Sequence, residues 1–125
     1  MHPLYAEGMK ISEKLGELCA RVVQLTMELS QIEYELRVIK AKVERALIKQ
    51  VGGEKKLGPT TEDRERIFTL ALDADKSYKE QLKHYNEIKL NLEQAKAEMT
   101  SLRTKLNVIL AAMKVDETGD KLCSQ

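Results

Sequence analysis

His84 has Glu80 four residues before it and Glu87 three residues after it. On a helix that spacing sets an imidazole and two carboxylates on neighbouring turns, a set that could bind a transition metal. A structural metal site takes about four ligands, and nothing else gathers beside this trio. His84 therefore reads as a surface histidine. His2 stands beside the amino terminus, where the two could hold copper or nickel adventitiously. The acid pairs Glu13/Glu17 and Asp73/Asp75 could do acid–base work only inside a closed pocket that tunes them. Helical surfaces seldom form one, so both pairs read as solvated. Gly52, Gly53 and Gly58 flank Lys55 and Lys56 and could cradle a phosphate. No strand precedes them, however, and the phosphate-loop spacing GxxxxGK followed by Ser or Thr is absent. Cys19 and Cys123 make neither a CxxC pair nor a disulfide framework, and read as two reduced thiols. No nucleophile–base pair or metal set emerges. The expectation is a protein that is not an enzyme, with no cofactor, no metal and no small-molecule substrate.

The remaining candidate chemistry is electrostatic. Net charge is +1 overall, but it is −3 over residues 1–36, +4 over 37–66 and 0 over 67–125. Lys42, Arg45 and Lys49 climb one helical segment, after Arg37 and Lys40. Lys55 and Lys56 occupy the following loop, and Arg64 and Arg66 open the next helix. A hairpin would converge these groups at one end, where they could hold phosphates through salt-sensitive contacts. Acids Glu44, Glu54, Glu62, Asp63 and Glu65 are interleaved, and no aromatic stands in the patch to stack on bases. The reading favours a solvated tip with ion pairs over contact with DNA or an acidic protein partner.

The elements that must position these groups are helices. Charged residues make up 33% of the chain, aromatics 4%, and Phe68 is the single Phe. A Glu, Lys, Leu and Ala mixture of this kind suits long helices with apolar seams. Ile11, Leu15, Leu18, Val22, Leu25, Leu29, Ile32, Leu36, Ile39, Val43 and Ala46 alternate steps of four and three through five heptads. A strict 3.5 repeat implies left-handed supercoiling around a partner. Val23, Met27, Val38 and Leu47 widen the stripe. VGGEKKLGPT then breaks the helix at residues 51–60, and Thr60 or Thr61 supplies a cap for the next. Ile67, Leu70, Ala71 and Phe68 form that helix's expected buried face. A second break near Asp73 and Asp75 is favoured over an uninterrupted helix from 61 to 114. Tyr78, Tyr85, Leu92, Met99, Leu106 and Met113 repeat at seven, paired with Gln81, Ile88, Ala95, Leu102 and Ile109.

The expected fold is all-α: an antiparallel long-helix hairpin joined as a coiled coil, with a short helix after the loop. The boundaries are helix 4–50, loop 51–60, short helix 61–73 and helix 76–114, one domain over 1–114. Residues 115–125 read as a flexible polar tail. A lone hairpin buries one narrow seam and leaves its flanks apolar, so association into a helical bundle is expected. The partner is then a second copy or more. The seam candidates are Leu25, Leu29, Ile32, Leu36, Leu92, Met99, Leu102 and Leu106. No apolar run approaches the roughly 20 residues that cross a bilayer, and no leader is visible, so no membrane partner and a cytoplasmic location are expected.

Residues 55–113 resemble small helical proteins encoded by phages and prophages. In those, a Gly-containing turn leads into a helix with an early Arg, then an acidic–Tyr step and a Leu-rich helix. Gly58, Arg64, Leu70, Leu72, Asp75 and Tyr78 carry the resemblance over about half the chain, with Pro59 and Thr60 taking the turn. The resemblance implies an accessory role in replication or recombination regions, within the host cytoplasm.

Overall fold

A computed structural model describes residues 2–124, with side chains described through Val115. Among the described residues the protein is all-helical, without a strand. Helix α1 spans Tyr5–Val51, a 3-10 turn spans Glu54–Leu57, α2 spans Thr61–Ala74 and α3 spans Lys76–Ser124. The last helix thus runs on past Lys114, through residues expected to form a polar tail. Residues 115–124 contain no Pro, and their single Gly costs only about 1 kcal/mol in a helix. The side chains of the expected tail beyond Val115 lie outside the described residues.

The stops and starts are built by identifiable groups. Gly52 N–H and Gly53 N–H both donate to Ile48 O, at 3.1 and 3.0 Å. Gly52 takes φ 86°, the left-handed conformation that closes a Schellman-type helix end without a Cβ penalty. Thr60 caps α2, its Oγ1 accepting from Asp63 N–H at 3.1 Å. Arg64 Nε donates to Gly58 O at 3.1 Å and so ties the loop back onto the first turn of α2. Asp75 separates α2 from α3: its Oδ1 accepts from Tyr78 N–H at 2.8 Å, which makes it the N-cap of α3.

Gly58 is required twice over. Its φ is 156°, and a Cβ built there would lie 2.7 Å from Asp63 Cβ. Gly58→Ala should therefore destabilise the tip by roughly 1–3 kcal/mol, read as a lower midpoint in urea with an unchanged slope. A midpoint equal to the unsubstituted protein's would mean that this turn is not packed as described.

The chain divides into two compact units, 1–26 with 91–125, and 27–90. In the first unit, Ile11, Leu18 and Leu25 of α1 and Leu92, Ala95, Met99 and Ile109 of α3 are buried. A Cβ at Gly8 would touch the Ile109 and Leu106 side chains at 3.7 and 3.8 Å. In the second unit, Ile32, Leu57 and Leu72 are buried. There Gln81 Nε2 donates to Glu35 Oε2 at 2.9 Å, and Tyr85 Oη donates to Glu33 Oε1 at 3.4 Å.

The buried face of α2 differs from the expected one. Leu70 is 62% exposed, and Leu72 is buried instead. At 100° per residue Leu72 shares a face with Phe68 and lies nearly opposite Leu70.

Candidate functional site

The heptad residues named as seam candidates are withdrawn from solvent within their units, whereas Ala46 at the end of the α1 series is exposed. Leu25, Ile32, Leu92 and Met99 are buried, and Leu29, Leu36, Leu102 and Leu106 are half-buried. Periodicity explains this directly: steps of four and three keep one stripe on one side of an α-helix. Gln81, the polar residue in the α3 repeat, has its amide satisfied by Glu35. Of the flanking positions, Val38 and Leu47 are half-buried, whereas Val23 and Met27 are exposed.

All seven basic candidates lie in the 27–90 unit, on the second half of α1, the 3-10 turn and the first turns of α2. Lys42, Arg45, Lys49, Lys55, Lys56 and Arg66 are exposed. Arg64 is different: it is half-buried and spends its Nε on Gly58 O, so its first role is to hold the loop. Lys56 also folds back on the helix end, its Nζ 3.3 Å from where a Gly52 Cβ would sit. Among the described residues, none of the exposed six is ion-paired. Each therefore keeps its charge available to an anion.

Of the residues with candidate catalytic or metal chemistry, His2 and Asp75 take structural roles. His2 Nδ1 accepts from Leu4 N–H at 3.0 Å, just ahead of α1. His84 is exposed and lines an open groove with Ile39, Ser77, Glu80 and Gln81. Glu80 lies 3.9 Å from Lys76 Nζ. Asp75 is occupied as a cap. Cys19 is an exposed free thiol, and the Cys123 side chain lies outside the described residues. Among the described residues, no three His, Cys, Asp or Glu side chains are grouped to hold a metal. Among them too, no helix is long and apolar enough to cross a membrane.

Two features escaped the sequence reading. Leu57, 4% exposed, is the packed residue of the loop, and its one signal is that a lone Leu interrupts a polar turn. Glu33 and Glu35 reach Tyr85 and Gln81, and carboxylates beside a heptad stripe would ordinarily be read as solvated.

No family model, curated protein or solved structure matches this chain.

Proposed function

We propose that this chain is a non-enzymatic, self-associating helical interaction protein. Its α1 and α3 would meet as an antiparallel coiled-coil hairpin, and hairpins would assemble into a bundle. One observation carries the reading. Most of the heptad stripe is withdrawn from water, yet among the described residues no side chain is fully buried and eleven large hydrophobics remain exposed. Ordinary soluble surfaces carry such residues singly. Here Val23 and Met27 lie one turn apart on α1, and Leu82 and Leu90 lie two turns apart on α3, lining one open groove with Lys83, Asn86 and Glu87. Cross-linking dilute protein through its exposed lysines should capture a species of two or more chains. A single-chain band alone would sink the reading.

A second reading is favoured by the six exposed, unpaired basic groups. In it the tip binds phosphate-bearing polymers without reading sequence. The setting in DNA metabolism and in a host cytoplasm rests on the phage-protein resemblance. Lys55→Glu with Lys56→Glu should weaken DNA binding roughly tenfold or more at low salt. Equal affinity of both proteins, or affinity indifferent to salt, rules the tip out as the contact.

A further inference from the structure

We propose that the cationic sector of α1 between Tyr34 and Lys49 holds single-stranded nucleic acid, with its bases of charge on the phosphates and the Tyr34 ring against a nucleobase. The inference deepens the phosphate-binding reading above and rests on it. It moves the contact from the loop to a helix face, and it names the polymer. Arg37, Lys42, Arg45 and Lys49 are all exposed. At 100° per residue they share with Tyr34 one sector of about 140°, opposite Ile32 and Leu36. The sector runs about 22 Å along the helix. Helix pairing through the heptad stripe leaves it open.

Charge is sorted by side along this stretch. Lys42, Arg45 and Lys49 have no Asp or Glu three or four residues away, and neighbour one another instead. Like charges at that spacing cost a helix stability. Among the described residues, none of the four cations is ion-paired. The nearby acids of α1 are turned to other tasks. Glu33 accepts from Tyr85, Glu35 accepts from Gln81 and Gln31, and the half-buried Glu44 lines a groove with Phe68 and Leu72 of α2. The outward sector is therefore free of carboxylate and complementary to a polyanion. Tyr34 decides which polyanion. It is 58% exposed, and among the described residues it has no hydrogen bond or ring contact. An aromatic ring beside a basic track is the pairing that holds single strands, because an unstacked base offers its face to the ring. A duplex keeps those faces inside its stack, and an acidic peptide has none to offer. Arg37, one turn from Tyr34, presents a second flat group of the kind on which bases stack.

The test titrates the full-length protein at low salt with a labelled single strand of mixed sequence, with the same strand as a duplex, and with polyglutamate. The single strand should bind more tightly than the other two. Arg45→Glu with Lys49→Glu should weaken it roughly tenfold or more. Tyr34→Ala should weaken it roughly five- to a hundredfold and leave duplex affinity unchanged, while Tyr34→Phe keeps the ring and the affinity. Every substituted side chain is exposed, and circular dichroism checks that each variant keeps its helix. Single-strand affinity that survives Tyr34→Ala, or that only matches the duplex or polyglutamate, overturns the proposal. Affinity lost on reversing Lys55 and Lys56 but kept on reversing Arg45 and Lys49 overturns it too, and leaves the loop as the contact. No binding of any nucleic acid at low salt overturns the underlying reading with it.

Discussion

A chain carrying Leu29→Asn and Leu36→Asn is expected to lose its assembly and to melt far below the unsubstituted protein. Both side chains are half-buried, and Ile32 between them is 4% exposed, so the pair brackets the driest point of this stretch of α1. Each replacement forfeits most of a leucine's burial, about 1.5 kcal/mol or more. Each also brings an amide into the stripe, and an unpaired buried amide costs about 1–3 kcal/mol. Two sites together remove roughly 5 kcal/mol or more, a large share of the 5–15 kcal/mol that typically holds a domain. Thermal melting by circular dichroism and mass by light scattering check this together. Loss of helix at room temperature places the stripe inside one chain, and a well-folded single chain places it between chains. An unchanged melt and an unchanged mass would show that the stripe is not a packing seam.

Leu57→Ala should produce the next largest effect, and a local one. Leu57 is the buried residue of the 3-10 turn, which packs against α2. Removing a buried leucine side chain costs about 2–5 kcal/mol when its surroundings cannot collapse. The turn is held on both sides, by the Gly52 and Gly53 helix end and by Arg64 bonded to Gly58 O, so collapse is limited. Hydrogen exchange should speed up across residues 54–72, while amides near Leu18 and Met99 keep their protection. Equal exchange in the substituted and unsubstituted proteins would mean that the tip is held by its hydrogen bonds alone. The basic residues of the tip would scatter with it, so any phosphate binding should fall in the same variant.

Much of this architecture could be read from the residues. The helix breaks fall where Gly52, Gly53 and Asp75 stand, because conformational freedom and capping oxygens act locally and leave a local mark. The heptad stripe was legible because five repeats leave little room for another period. What sequence could not show depends on contacts between distant residues. Leu57 is a lone apolar residue in a polar turn, and only the fold of that turn brings it inward. Leu70 and Leu72 are equally apolar, and only the direction in which α2 faces decides that Leu72 is buried. Arg64 counted as one more charge in a basic cluster, whereas its bond to Gly58 O makes it a strut. Gln81 looked like a flaw in the α3 repeat, and Glu35 on α1 supplies the partner that makes it tolerable. The polar composition beyond Lys114 suggests loose chain, whereas α3 runs to Ser124, because polarity alone does not end a helix.

We propose that this helical chain completes its packing against copies of itself. Sedimentation equilibrium of the unsubstituted protein at micromolar concentration tests it most directly. Self-association predicts a mass of at least twice the 14.2 kDa chain, falling toward that of one chain only on strong dilution. A single-chain mass across the whole concentration range would contradict it.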